Sequence, residues 1–564
     1  MKTELFGVFG DREQFARFRS PAEFDRLLGG ESVTVGIRDP HLDVPNRTSV
    51  HRAPDGFCVV WGEVFAPEGV ERPASTWLFD RYATEGNDAV EGLNGSYVGV
   101  IECDGDSLVF TDPIHSRECF YTDTPVRCFG TDTAELTRVI PSPTLDCRGL
   151  CEFVHFGLTF GETTTIEQLR RLPFDSCLFP DAIEPLSRFV YEPRSFDYTE
   201  ELAARLERAI DRRAAYPGTS GMLMSAGFDS RVLLARLPEV DVCYTLGTPR
   251  TPEVRVARKV ASQYGTRHET LLVNESYLAV DPDIVQYTNG IRESVHIHHR
   301  GNTAEITADV IYHGLFLDTL LRGRFVPHDT VHLDVIDRDF PLPRLDPDPD
   351  IDRHFASKFG FYGDTDRPLI DCPEIDADTS EQFLKDTIAR HYKRGFDRAD
   401  SRYNAMALLG IKAKSALPFK THLADQFLES FVAADSELVD WHLTTPPEHR
   451  NDRTYQKALR MIDPEIFRYR PPDRPHRSYQ LNQMEKYLRK KLPGVSPFGT
   501  PWPDRDQIYD ENDLDTRLFA GRPDIQALPP RIKLRINDAR MWLEYARGET
   551  AEKPYDFVRS EPTL

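Results

Sequence analysis

Six residues, Ser225-Ala226-Gly227-Phe228-Asp229-Ser230, interrupt an apolar run that begins at Met222 and resumes as a helical pattern through Leu234. Such a break reads as a strand, a tight turn and a helix N-terminus. A turn of that kind leaves the first backbone N–H groups of the helix unpaired and aimed at one point, where the helix dipole also favours negative charge. Ser225 and Ser230 add hydroxyl donors, Gly227 lets an oxyanion approach the backbone, and Asp229 can hold the magnesium that accompanies nucleotide phosphates. The chemistry on offer is phosphate binding. The same string would also serve as a plain strand-turn-helix capped by serine, and the six residues alone leave both readings open. No G-x-x-x-x-G-K-[ST] occurs in the chain, which excludes a Walker-type loop.

The elements that would position this turn follow from hydrophobic period. From Thr199 onward the pattern predicts helix 199–214, strand 221–225, helix 228–237, strand 242–247, helix 252–264, strand 268–273, helix 276–290 and strand 310–314. This is a doubly wound α/β sheet, whose ligands sit at the carboxyl ends of its strands. Ser225 lies at one such end, Gly247 at the next, and His313-Gly314 at a third. After a charged, Pro-rich stretch at 334–352 the remainder reads as mainly helical, notably 404–430 and 531–548. Upstream, the first ~140 residues read as short strands, with helical periodicity only at 21–28 and 75–85. The clearest strands are 7–10, 57–65, 97–101 and 107–110. Expected domains are a β-rich layered unit at 1–140, a connecting segment at 141–195 with one helix and two strands, an α/β unit at 196–480, and a helical extension at 481–564.

At 564 residues with a formal charge of −22, the chain is large enough for several cores and too acidic for nucleic acid or an anionic membrane as a main partner. Arg exceeds Lys and Asp is abundant throughout, which suggests a salt-adapted cytoplasm, as in haloarchaea; an acidic mesophilic protein is the other reading. Nine cysteines without a secretory signal predict reduced thiols, and Cys147 with Cys151 forms one C-x-x-x-C that no second pair completes into a zinc site. No apolar run reaches membrane-spanning length. A cytoplasmic protein is expected.

Several local strings, in order, resemble the asparagine synthetase family. The turn at 225–230 resembles the S-G-G-x-D-S pyrophosphate loop of the N-type ATP pyrophosphatases, with Ala226 in place of the first glycine. Gly7-Val8-Phe9-Gly10 is similar to the family's opening G-I-F-G, Gly62-Glu63-Val64-Phe65 to its N-G-E-I-Y, and Leu93-Asn94-Gly95-Ser96-Tyr97 to its L-(N/D)-G-x-F. Thr111-Asp112-Pro113, Phe156-Gly157-Leu158, Leu169-Arg170-Arg171-Leu172-Pro173 and the run Leu409 to Phe419 match later signatures in order. The resemblance implies an N-terminal nucleophile glutaminase fold followed by an ATP pyrophosphatase-like synthetase domain with a helical C-terminal part. It further implies ATP and Mg²⁺, held by Ser225, Gly227, Asp229, Ser230, Gly247 and Gly314, with Asp229 and Asp318 as metal carboxylates. The partners implied are a small-molecule carboxylate and an amine or ammonia, with no nucleic acid and no membrane; a homodimer is allowed. No catalytic side chain is identified.

The chain also departs from that family. Phe6 stands where the glutaminase needs an N-terminal cysteine, whose free amine would be its own general base. Removal of Met1 would expose Lys2, which is no substitute. Trp61 stands where an oxyanion-hole asparagine is expected. In the second phosphate loop, His313-Gly314-Leu315-Phe316-Leu317-Asp318-Thr319 keeps the glycine and the aspartate, while Leu315 replaces the family glutamate. The family lysine near Pro471 to Arg474 is not evident; Arg468, Arg470, Arg474 and Lys457 are the nearby cations. The expectation is an amide-forming ligase that adenylates a carboxylate without splitting glutamine. A non-catalytic nucleotide-binding or partner-binding paralogue and an ammonia-dependent asparagine synthetase are the alternatives. His296, His298 and His299, with His313, could place imidazoles on one strand face, as a metal site or as a polar loop lining the substrate cleft.

Overall fold

The structure, a computed structural model, describes residues 2–273, 275–278, 281–333, 338–375, 377, 379–476, 479–491, 503–548 and 555–559. Met1, the start of the charged stretch at 334–337 and parts of the 481–564 extension lie outside the described residues. The chain is mixed α/β.

Its first part is two six-stranded antiparallel sheets stacked face to face. One runs, in spatial order, Leu169–Arg171, Phe120–Thr122, Cys128–Gly130, Glu4–Val8, Thr34–Arg38, Arg26–Gly29; the other runs Ile183–Pro185, Ser176–Leu178, Asp106–Thr111, Asn94–Cys103, Gly56–Phe65, Ser49–Ala53. Side chains alternate between the two faces of each strand, and this sorts the core into layers. Leu5 and Val35 meet Val59 and Val100 between the sheets. Phe6 and Val8 turn outward to helices Arg12–Phe18, Thr133–Arg138 and Cys147–Phe156. Cys58, Val60 and Ile101 turn to the opposite outer layer, under helix Ala74–Glu85. The helix expected at 21–28 is instead a single 3₁₀ turn, Pro21–Glu23, followed by strand Arg26–Gly29. The buried Leu28 side chain belongs to the inter-sheet core, which outweighs local helical spacing.

The second part is a five-stranded parallel sheet in the order Arg267–Leu272, Val242–Gly247, Ser220–Leu223, Val310–His313, Leu428–Ser430. Helices Tyr198–Asp211, Phe228–Arg236 and Pro252–Gln263 pack with Met222, Cys243 and Tyr312 on one face. Helix Pro418–Gln426 meets Tyr244 and Ile311 on the other. Two expectations fail here. Residues 276–290 are not one helix but a 3₁₀ turn, Glu275–Leu278, and a single turn, Pro282–Val285, because Pro282 can begin a helix and cannot continue one. Residues 404–430 are not helical throughout: Phe427 is extended, and Leu428–Ser430 forms the fifth strand of the sheet.

Buried charge joins the two parts. Glu63, fully buried, accepts hydrogen bonds from Arg213 Nε at 3.1 Å, Tyr216 Oη at 2.7 Å and Ser430 Oγ at 3.0 Å. Arg213 continues to Asp435 at 2.7 Å, and Lys420 Nζ donates to Ser96 Oγ at 2.6 Å. Removing one member would leave its partner charged and dry, so the halves are expected to move as one.

The cysteine expectation needs correction: Cys147 is joined to Cys372 across a sequence separation of 225, while Cys58, Cys103, Cys119, Cys128, Cys151, Cys177 and Cys243 are free and buried. Among the described residues no helix is long and apolar enough to cross a membrane.

Candidate functional site

The strand order of the parallel sheet reverses between Ser220–Leu223 and Val310–His313, two neighbouring strands paired Leu223 to His313. Loops leaving neighbouring strands at such a reversal diverge to opposite faces and open a crevice at the carboxyl edge. Ser225 leaves one strand and Gly314 the other. Gly227 is the N-cap of helix Phe228–Arg236 and has no side chain to cap it. A Cβ on Gly314 would lie 2.6 Å from the carbonyl carbon of Asp229, so only glycine permits this approach of the two loops. Together they line one cavity of about 290 Å³ with Ser225, Asp229, Ser230, Gly314, Leu315 and Asp318 on its wall. Gly227 lies in the turn between these side chains. Gly247 ends the adjoining strand, whose Tyr244, Thr245 and Leu246 face the cavity. Phe316, between Gly314 and Asp318, adopts the left-handed φ of +73°, strain of the sort found where packing holds a functional loop.

Hydrogen bonds give the turn its shape. Ser230 Oγ donates to the carbonyl of Ser225 at 3.0 Å, and the two hydroxyl oxygens stand 3.4 Å apart. Arg231, buried on the helix, donates to the carbonyls of Ala226 at 2.7 Å and Ile466 at 2.8 Å. Two of the turn's amides are engaged within the protein: Gly227 N–H donates to Ser225 Oγ at 3.1 Å, and Ala226 N–H to the carboxylate of Glu253. Burial raises the Glu253 carboxyl above its ordinary range, and the Ala226 hydrogen bond works against this.

Both candidate metal carboxylates carry an arginine. Asp229 pairs with Arg322 Nη1 at 3.1 Å, and Asp318 with Arg324 Nη1 at 2.6 Å. Arg322 also meets Asp452 at 2.5 Å, which meets Arg474 at 2.8 Å. Burial raises the Asp229 carboxyl; Arg322 opposes the rise and Asp318 adds to it. Among the described residues the one trio of His, Cys and acidic side chains with ligand atoms within 4.8 Å is Asp55, Cys103 and Asp104, far from these loops in the chain. Asp229 and Asp318 therefore form no preassembled cage. They fit an ion such as magnesium, which takes one or two carboxylates and fills its octahedron with phosphate oxygens and water.

His296, His298 and His299 do not lie on a strand: Ser294–His296 is a 3₁₀ turn. These three rings, with His313 from the end of strand Val310–His313, line the same cavity as the serine turn. Burial pushes His296 down to about 4 and lowers His298 and His299 far below the usual histidine range, so these rings are neutral at pH 7. His299 Nε2 lies 3.0 Å from His422 Nδ1, and His313 Nε2 lies 3.0 Å from Glu429. Of the cations noted in the sequence, Arg474 reaches the Asp452 network, whereas Lys457, Arg468 and Arg470 are exposed. Arg322, Arg324, Glu253 and Asp452 escaped sequence reasoning. The i, i+4 spacing of Asp318 and Arg322 would have suggested a pair, whereas Arg322 turns to Asp229 and Asp318 takes Arg324.

In the first part, Phe6 has no exposed surface and packs against Phe15 at 5.6 Å and under the Arg19 guanidinium at 5.2 Å. Its backbone lies inside a strand, opposite Gly36 and Gly130. Neither a thiol nor a terminal amine is available at this position. Trp61 is buried between the sheets beneath Arg117, whose guanidinium is 4.6 Å from the ring.

Residues 201–298 match the asparagine synthase family model, a stretch holding the serine turn, three of the five strands and His296 to His298. No curated protein matches the chain. Among solved structures, it is similar to an allosteric regulatory enzyme of purine biosynthesis, at 11% identity over 57% of this chain and 70% of that one, with a TM-score of 0.21. It is likewise similar to glutamine phosphoribosylpyrophosphate amidotransferase from B. subtilis in complex with ADP and GMP, at 12% identity over 68% of this chain and 90% of that one, with a TM-score of 0.21. Superpositions at that score do not establish a shared fold.

Proposed function

We propose that the chain is an asparagine-synthetase-like ligase that uses ATP and Mg²⁺ to adenylate a small carboxylic acid, which ammonia or an amine then converts to an amide. The observation that carries this reading is the meeting of the 225–230 and 314–318 loops, backbone against backbone, at the reversal point of the sheet. The asparagine synthase match over 201–298 supports it. In this reading the division into a glutaminase-like first part, a connecting segment, an ATP-binding α/β part and a helical extension also holds, in a cytoplasmic and salt-adapted protein.

Each residue then has a task. The free amides at the start of helix Phe228–Arg236, with Ser225 and Ser230, receive the pyrophosphate end of the nucleotide. Gly247 and the apolar strand ends beside it receive the adenosine. When bound, Mg²⁺ would neutralise phosphate charge; Asp229 and Asp318 would hold it in place of their arginine partners, Arg322 and Arg324. The acid's carboxylate oxygen attacks the α-phosphorus and pyrophosphate leaves; positioning and charge neutralisation carry that step. His296, His298 and His299 line the same cavity, where as neutral rings they can orient the incoming amine by hydrogen bonding. Nitrogen from glutamine is excluded by Phe6.

A second reading, a non-catalytic nucleotide-binding paralogue, is favoured by one observation: both carboxylates are already neutralised by arginine. Incubating the full chain with Mg-ATP and a panel of carboxylic acids and amines tests the two. AMP and pyrophosphate formed only with an acid supports the ligase; nucleotide binding with no turnover across the panel supports the paralogue.

A further inference from the structure

A second cavity, of about 40 Å³, lies where the 112–118 loop, the connecting segment and helices Ser380–Lys393 and Arg402–Lys414 converge. In a chain of net charge −22, its wall carries His115, Arg171, His391, Arg394 and Lys412 against one carboxylate, Glu162. Arg394 is neutralised by Glu162 at 2.9 Å, and Arg171 Nε faces Glu118 at 3.4 Å. Lys412 has no such partner: among the described residues it makes no salt bridge, and its ammonium sits 5.1 Å from the centre of the Phe174 ring. Burial is the main influence on this ammonium, and it lowers its proton affinity to about 8.

Two buried imidazole nitrogens, donors in their Nε2–H tautomer, accompany the charge. His115 Nε2 and His391 Nε2 are shut off from solvent and have no hydrogen-bond partner, with the rings 5% and 8% exposed. The nearest acid to His391 is Glu152, at 4.0 Å, beyond hydrogen-bond reach. A buried N–H left unbonded costs free energy, and so does an unpaired ammonium. With Arg171 Nη2 donating to Thr159 Oγ1 at 3.0 Å, the polar wall is rich in donors, while Glu152 Oε1, also without a hydrogen bond, stays 4.0 Å from His391 Nε2. A cavity of roughly 10–15 Å³ by this measure holds one water, so the space suits a ligand of about three such atoms.

We infer that this cavity is a binding site for a small monovalent anion, of halide or hydrogencarbonate size, held by the Lys412 ammonium and by N–H donors from His115 and His391. The site joins the sandwich to helix Arg402–Lys414, whose chain continues to Leu417 and Phe419 on the wall of the larger cavity. An anion here would fix that helix against the 112–118 loop. It does not depend on the ligase reading.

The test uses the full chain. Crystals grown in sodium bromide should give an anomalous bromine peak within hydrogen-bonding distance of Lys412 Nζ. In solution, replacing gluconate by bromide or hydrogencarbonate at constant ionic strength should raise the unfolding midpoint of the wild type saturably. Lys412→Met should weaken the apparent affinity by roughly tenfold or abolish the response, the loss expected for a charge-assisted hydrogen bond. His391→Phe, which keeps the ring volume, serves if Lys412→Met does not fold. A larger response to bromide than to hydrogencarbonate assigns a halide, and the reverse assigns the oxyanion. No anomalous peak together with identical titrations of wild type and variants in both anions would overturn the inference.

Discussion

Gly314 and Asp229 touch through their backbones: a single methyl on residue 314 would come within 2.6 Å of the Asp229 carbonyl carbon. The two loops leaving the central strands are thus held together by the absence of a side chain. Gly314→Ala must push the 314–318 loop away from the serine turn. We expect nucleotide affinity to fall by about tenfold or more while the far-UV circular dichroism spectrum is kept, since a displacement of about 1 Å in a positioning contact is costly. Isothermal titration with Mg-ATP measures this.

Asp229 and Asp318 each exchange an arginine for a metal ion in the proposed reaction. Asp318→Asn should therefore weaken Mg-ATP binding strongly and leave magnesium-free ATP binding nearly unchanged, because Arg324 is freed for phosphate. Equal losses with and without magnesium would point to a role for Asp318 in folding alone.

Glu429 is fully buried; burial alone would raise its carboxyl, but Lys420, the His313 hydrogen bond and Arg117 hold it down at about 2. A folded-state value below the unfolded one gives stability that is complete above about pH 5 and is lost as pH falls toward 2. A shift of this size corresponds to a contribution on the order of 3 kcal/mol. Glu429→Gln should be markedly less stable than the wild type at pH 7, and the two denaturation midpoints should converge below about pH 3. A constant gap across that range would mean that the carboxylate charge is irrelevant.

Phe6 faces the outer helical layer and not an open site, so restoring the thiol alone is not enough. Neither the wild type nor Phe6→Cys should release ammonia from glutamine, because residues 2–5 precede position 6, which lies inside strand Glu4–Val8, and no terminal amine reaches it. A coupled ammonia assay decides this.

The Cys147–Cys372 bond closes a separation of 225 residues. By the loop-entropy rule, such a cross-link contributes up to about 5 kcal/mol. Thermal unfolding should shift downward in dithiothreitol, and Cys147→Ser should lose that sensitivity.

Most of the parallel sheet was legible because its strands are short apolar runs ended by glycine or serine, and the helices between them show the 3.6 period. The Leu428–Ser430 strand was not, since three residues carry no period and its place is set by pairing with Val310–His313. Pro21 to Leu28 misled for a related reason: helical spacing over eight residues was overridden by the inter-sheet core. At the site, the serines, glycines and aspartates could be found from the turn chemistry of single strings. Arg322, Arg324 and Glu253 could not, because their roles arise from loops brought together by the sheet. The Cys147–Cys372 pair was invisible for the same reason.

The most direct measurement is equilibrium binding of Mg-ATP to the intact chain and to Asp229→Asn, under high salt. The expected result is saturable binding by the wild type, at least about tenfold weaker in the variant, with a circular dichroism spectrum unchanged between them. Absence of binding by the wild type, or equal affinity in the two proteins, would contradict an ATP site at the serine turn.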